Sequence, residues 1–365
     1  MKKINIKNDL LNLNAQPLRK HKIFNNWEIV TKGWYSAVES KKLKEKETLS
    51  INLNGHQLVL FRTETGKVHC LDAFCPHMGV DLSLGKVMGD NIRCFFHHWQ
   101  FDGKGKCRDI PCKEDPPKKL KLNSYAVKEK YGMIWVWPDK ETDEEVLEVP
   151  ALAGLTAEEI CTKIDETYYR KCHFHITMIN GIDPQHLSTV HGIHIDMDID
   201  IDETKSNHIE IVLKGKFPDS TLKERMGSIF LGKEYSYSMK YADGCLASLT
   251  MLIDAKLFNT FKLPSLHMLF SYSLVEDGKI MVKTIYLNKK SKGLLGPIKN
   301  FCKLNMTKLF FKMLQGEDGE IYDNIRFNTD TFLKLDRPVV KYISYINRLE
   351  PSLWSKTPLE KKAED

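Results

Sequence analysis

At 365 residues the chain exceeds the roughly 250–300 at which a single hydrophobic core stops growing, so two domains are expected. Its composition, 42% hydrophobic and 28% charged, is that of an ordinary soluble globular protein. The net charge of +6 comes from lysines mixed with acidic residues, as in "KKLKEKE" (41–47), which reads as solvated surface and predicts no nucleic-acid partner.

The N-terminal stretch "MKKINIKNDLLNLNAQPLRK" is basic but lacks an apolar h-region, so no signal peptide is expected. No uncharged apolar run reaches the roughly 18 residues of a membrane span; "LPSLHMLFSYSLV" (263–275) reads as a buried strand. Cytoplasm is the expected location. Nine cysteines without a secretory signal predict metal ligands and buried thiols, not a disulfide framework.

From Asn26 to Pro138 the sequence predicts short strands joined by tight turns. Asn54-Gly55 and Thr65-Gly66 separate alternating apolar runs, Asp102-Gly103 marks a further hairpin, and "YAVKEKYGMIWVWP" (125–138) closes the region. The acidic stretch at 139–150 reads as a linker. A helical stretch is expected near 176–191, strands at 208–215, 236–253 and 265–288, a largely helical tail from about 295, and a disordered end in "KTPLEKKAED". The fold class is therefore α+β: an N-terminal all-β domain over 26–140 and a second domain over 141–365, with residues 1–25 packing on the latter.

Two motifs carry chemistry. The first is Cys75-Pro76-His77 followed, after sixteen residues, by Cys94-x-x-His97, a C-x-H/C-x-x-H pair. Its spacing selects His97 over the adjacent His98 as the ligand. A Cys2His2 zinc site is the competing reading, but zinc fingers usually pair like ligands. The mixed order suits a Rieske [2Fe–2S] centre, in which two thiolates hold one iron and two imidazoles the other. The segment 75–97 resembles the Rieske motif and 26–138 a whole Rieske domain. Rieske proteins of respiratory chains carry two further cysteines; Val80 and Phe96 stand at those positions here, which turns the resemblance toward oxygenases and ferredoxins. His98 stands where glycine is common in the family.

The second motif is "INGIDPQHLSTVHG" (179–192), with Asn180, Asp183, His186 and His191 as N-x-x-D-x-x-H-x4-H. Asp183 and His186, three apart, would share a helix face. His186 and His191, five apart, diverge by about 140° on a regular helix, so the helix must end before Gly192 for both to meet one ion. Alone, H-x4-H reads as incidental. Behind a Rieske domain, it makes nearly the whole chain resemble the α subunit of Rieske non-haem iron oxygenases, nearest to single-subunit types acting on sterols, alkaloids or other polycyclic molecules.

That resemblance implies a helix-grip (START-like) catalytic domain with an antiparallel sheet and C-terminal helices. It implies a mononuclear Fe(II) on His186, His191 and a downstream carboxylate, with O2 as co-substrate. The carboxylate candidates are Asp254, Asp277, Glu317, Asp318, Glu320, Asp323 and Asp330; Asp318 matches best, placed just before a C-terminal helix, with Glu317 and Asp323 next. His173 and His175 are set aside as non-ligands in a strand-like context. The resemblance also implies a homotrimer in which Asp183 links His186 to a neighbour's His97. No G-x-G-x-x-G fingerprint or plant-type ferredoxin run is present, so a separate NAD(P)H-dependent reductase, with or without a ferredoxin, is expected. Ile229, Phe230, Leu252, Phe258, Phe261, Leu266 and Phe270 would suit either a hydrophobic substrate or a core. A non-catalytic electron-transfer or sensory Rieske protein with a ligand-binding C-terminal domain is the alternative function.

Overall fold

A computed structural model describes residues 23–112, 120–139, 145–149, 152–191, 196–203, 205–216, 225, 234–253, 255–257 and 260–356. Residues 1–22 and nearly all of the C-terminal stretch expected to be disordered lie outside these. Residues 23–25, by contrast, are seated on the C-terminal region: the Ile23 and Phe24 amides donate to Asn347 Oδ1 and Asn25 N–H to His175 Nδ1.

The N-terminal region is built from hairpins. Thr48–Leu53 pairs with His56–Arg62 through Asn54-Gly55, where both residues take positive φ (52° and 81°) as a tight two-residue turn requires. Tyr131-Gly132 repeats this (56° and 78°) between Val127–Lys130 and Met133–Val136. Four short strands, Lys86–Met88, Asn91–Arg93, Gln100–Asp102 and Cys107–Asp109, form a separate antiparallel sheet. Beneath it Val59, Phe61, Leu71, Leu82, Ile92 and Phe101 make a small core that also contains Cys75 and Cys94.

The C-terminal region is an antiparallel sheet of eight strands. Its path runs Ile160–Ile164, Lys279–Lys289, Leu266–Glu276, Leu246–Ile253, Glu234–Ala242, His208–Lys216 and Asp196–Asp202; Tyr168–Arg170 also pairs with 279–289. Among the described residues, four α-helices of more than one residue accompany it: α1 (Phe174–Ile179), α2 (Pro184–Thr189), α3 (Gly296–Asn324) and α4 (Arg337–Ile346). Helix α3 packs against the strands at 266–276 and 279–289.

One continuous core joins the two regions, running from Trp34, Trp135 and Trp137 to Tyr286, Tyr342 and Tyr345. Polar contacts tie the same seam. The Leu274 amide donates to Asn54 Oδ1 at 2.8 Å, the Ser36 amide to Ser271 Oγ at 3.1 Å, and Lys283 Nζ to the Ser36 and Ala37 carbonyls. The final residues return to the start, with the Ser352 amide donating to Val30 O at 2.7 Å. The N-terminal β region is therefore bonded firmly to the larger sheet.

Candidate metal centres and cavity

The first motif sits on two matched loops. Residues 75–80 are closed by Cys75 N–H donating to Val80 O at 2.9 Å, and residues 94–99 by Cys94 N–H donating to Trp99 O at 2.8 Å. Cys75 and Cys94 point into the small core, 3% and 2% exposed, while His77 and His97 lie at its half-buried edge with ring centroids 4.5 Å apart. Trp99 stacks on His77 at 4.3 Å and fixes its plane, yet His77 Nδ1 is buried with no hydrogen-bond partner. Burial pushes the Cys75 thiol up to about 11, against the opposing pull of the His77 amide. A buried thiol pair with two imidazoles, one carrying an unsatisfied nitrogen, is the donor set of a Rieske cluster.

His98 is exposed and left-handed at φ 61°. That conformation favours glycine, a physical reason for the glycine the resemblance places there. All nine cysteines are free thiols.

The second motif is not one helix. Helix α1 stops at Ile179, a 3-10 turn spans Asn180–Ile182, and Asp183 is extended (φ −93°, ψ 107°), as a residue preceding proline tends to be. Pro184 then starts α2, and Asp183 caps it by accepting from the Gln185 and His186 amides at 2.9 and 3.3 Å. Asp183 and His186 thus do not share a helix face: the carboxylate is taken up with backbone N–H groups. Helix α2 ends at Thr189, with the Val190 amide donating to His186 O at 2.9 Å, and His191 turns back beyond it. Gly192 lies outside the described residues.

Three donor atoms meet there. His186 Nε2 lies 3.1 Å from His191 Nε2 and 2.9 Å from Asp318 Oδ1, and His191 Nε2 lies 3.4 Å from the same oxygen. Asp318 Oδ1 is buried and, despite this proximity, receives no hydrogen bond of good geometry. Cis ligands about 2.1 Å from one ion stand about 3.0 Å apart, so the spacing fits a facial triad of two histidines and a carboxylate. Although burial disfavours its charge, the two imidazoles outweigh burial and hold the Asp318 carboxyl down to about 2. Tyr322, one turn on, donates its hydroxyl to Asp318 Oδ2 at 3.4 Å.

Asp318 lies within the 29-residue α3, not ahead of a C-terminal helix as its expected context had it. Of the competing carboxylates, Asp323 accepts from the Lys171 amide at 3.1 Å, Asp277 pairs with Lys356, and Glu320 and Asp330 are exposed. The Glu317 side chain and Asp254 lie outside what is described. His173 caps α1 and His175 lies within it, so their context is helical rather than strand-like; burial pushes His173 down to about 3.

The triad borders a largely apolar cavity. Met239, Leu249, Met251, Phe270 and Phe311 form its apolar walls, and Tyr168, Arg170, Asn180 and Gln315 give it polar points. Asn180 Nδ2 and Arg170 Nε are buried without an acceptor. Of the apolar residues expected from the sequence, Phe270 lines the cavity. Leu252 and Leu266 belong to a separate small cluster, Phe261 is 67% exposed, and Ile229, Phe230 and Phe258 lie outside the described residues. The wall residues missed by sequence reading alternate along their strands, at 237/239 and 249/251, as one face of a sheet must. Tyr322 had a signal too, its i+4 spacing from Asp318.

The family described as "Rieske [2Fe-2S] domain" matches residues 33–126. The cholesterol 7-desaturase nvd of Xenopus laevis is 37% identical over 180 residues, 49% of this chain and 40% of that protein. The oxygenase component of a 3-ketosteroid-9-alpha-monooxygenase from Rhodococcus rhodochrous is 37% identical over 130 residues, 35% of this chain and 33% of that one. The chain thus spans less than half the length of these curated relatives. The QL mutant of NdmA from Pseudomonas putida CBB5, solved with caffeine, superposes with a TM-score of 0.65 at 18% identity, over 86% of this chain and 89% of that one. The N-terminal region is therefore a Rieske domain, which implies a [2Fe–2S] cluster. The α+β architecture is that of a Rieske oxygenase α subunit, as the resemblance read from the sequence implied.

Proposed function

We propose that the chain is the terminal oxygenase of a multicomponent system, which hydroxylates, demethylates or desaturates a hydrophobic cyclic small molecule. The observation that carries this reading is the convergence of His186, His191 and Asp318 beside a largely apolar cavity, in a chain that also bears a Rieske domain. In this reading Cys75 and Cys94 hold one iron of the cluster, His77 and His97 the other, and the triad holds a mononuclear Fe(II). When bound, these groups supply electrons one at a time and a site for O2. The division falls at about residue 140, with the cluster domain over 26–140 and the iron domain over 141–365.

The chain's own residues set the rest. Tyr322 holds one oxygen of Asp318 and leaves the other directed at the two histidines. The apolar walls exclude water from the reacting face, and Asn180 and Arg170 offer buried donors to an oxygen of the substrate. A sterol or steroid is favoured by the names of the two relatives and by the cavity's composition. A separate reductase supplies electrons, the assembly is a homotrimer in which Asp183 faces a neighbour's His97, and the location is cytoplasmic.

The test is turnover of the iron-loaded chain with a surrogate reductase and O2, offering cholesterol and a 3-ketosteroid. Product mass distinguishes one added oxygen, two, or loss of two hydrogens. Full iron loading that stops at the cluster's two irons would sink the oxygenase reading and favour an electron-transfer protein.

A further inference from the structure

Helix α3 carries apolar side chains on both faces, so it needs two apolar partners. The inner face has one: Leu304 and Tyr322 are buried, and Phe311 meets Phe270 with ring centroids 5.1 Å apart. The outer face is bare. Ile298, Phe301, Leu309 and Met313 are 61%, 67%, 62% and 65% exposed, and Leu294 just ahead of the helix is 99% exposed. At about 100° per residue the four helical positions fall within a stripe of about 120°. A contiguous exposed apolar surface of this kind marks a binding face.

Its charge setting says what binds. From Gly278 to Gly316 the chain has nine lysines and no aspartate or glutamate. Lys312 is exposed within the stripe and Lys299 beside it, and Lys290 and Lys292 are exposed just before the helix. The centre of a protein–protein interface is typically depleted in lysine, whereas an apolar stripe bordered by lysines is the pattern of a helix lying in the headgroup region of an anionic bilayer. No helix among the described residues is long and apolar enough to cross a membrane, so the contact is interfacial.

We propose that the outer face of α3 docks the chain on an anionic lipid surface. The inner face of the same helix lines the cavity with Phe311, Leu314 and Asp318. A docked bilayer would therefore lie one helix, about 10 Å, from the place where an apolar ligand is held. The docking claim stands apart from the oxygenase reading, since lipid binding is measured without turnover.

The experiment is co-sedimentation of the full chain with vesicles of phosphatidylcholine alone or mixed with phosphatidylglycerol. The chain should pellet with the mixed vesicles, less so at raised salt, and remain in solution with the neutral ones. Replacing Ile298, Leu309 and Met313 together by serine should weaken binding at least about tenfold. Lys299→Gln and Lys312→Gln should each weaken it about fivefold. Circular dichroism and sedimentation velocity of the serine variant should match the unaltered chain, because the replaced side chains face outward. Failure of the unaltered chain to pellet, or unchanged binding by the serine variant, would overturn the proposal. So would a shift of the serine variant to a smaller species without loss of lipid binding, which would make this face a contact between copies.

Discussion

The two candidate metal sites are built in opposite ways. The Cys75/His77 and Cys94/His97 loops are local: each closes on itself through backbone hydrogen bonds, and exposed Phe74, Met78, Phe95 and Phe96 surround them. The His186/His191/Asp318 cluster is assembled from distant chain, with a broken helical segment meeting the C-terminal part of α3, and it borders a largely apolar cavity. A half-buried imidazole edge near the surface suits electron exchange with another surface, whereas a triad set largely beneath the surface suits chemistry that must exclude water. Opposite demands on solvent thus produce opposite constructions, joined by a bonded seam.

The largest effects should separate the two regions cleanly. His97→Ala is expected to abolish the visible and EPR signals of the cluster, while His98→Ala, altering an exposed left-handed residue, retains them. The reverse result would move the ligand by one position. Next, Asp318→Ala should remove one iron per chain and eliminate product, leaving the cluster spectrum intact. Loss of both signals together would mean that the regions are not separable.

Asp183 tests how the regions communicate. Because asparagine caps helices about as well as aspartate, Asp183→Asn should leave stability nearly unchanged, whereas Asp183→Ala should cost about 1 kcal/mol. If the carboxylate also links His186 to a neighbour's cluster, Asp183→Asn should keep every iron yet slow reoxidation of the pre-reduced cluster by about 10–100-fold. Stopped-flow absorbance with substrate and O2 measures this directly. Reoxidation at the unaltered rate would leave Asp183 as the cap of α2 alone.

What the sequence made legible follows the same division. Local construction is readable: Asn54-Gly55 and Thr65-Gly66 punctuate real hairpins, and the loop motif gives its four ligand candidates outright. His186 and His191 are readable because they are close in sequence, although the break between α1 and α2 comes from Asp183-Pro184, which sequence reading passed over. Asp318 came from resemblance, which set it just ahead of a C-terminal helix, whereas it lies inside α3, a helix that also carries Gly316 and Gly319. Each glycine costs a helix up to about 1 kcal/mol, but Leu314 and Tyr322 pack on either side of them and the helix continues. The cavity wall was least legible. Which face of a strand meets the cavity depends on how the sheet is covered, so Met239 and Met251 were missed, and Leu266, read as either pocket or core, proves to be core.

The smallest expected effect concerns the seam that holds the two regions together. Lys283 reaches from the large sheet to the Ser36 and Ala37 carbonyls of the N-terminal region. Burial, reinforced by Lys42 and opposed by Glu39, pushes its ammonium down from 10.5 to about 8. Below pH 8 the folded and unfolded chains both hold this proton, and the folded chain carries the full cost of a buried charge. Between about 8 and 10.5 the unfolded chain holds the proton while the folded chain releases it, so this group makes stability rise with pH. Lys283→Met removes the effect while preserving most of the side-chain volume. Comparing urea midpoints at pH 7 and near pH 10, the unaltered chain should gain about 1–2 kcal/mol relative to Lys283→Met. Parallel shifts in the two proteins would mean that Lys283 keeps an ordinary affinity for its proton, held by the two carbonyls. The seam would then be a charged clasp rather than a desolvated one.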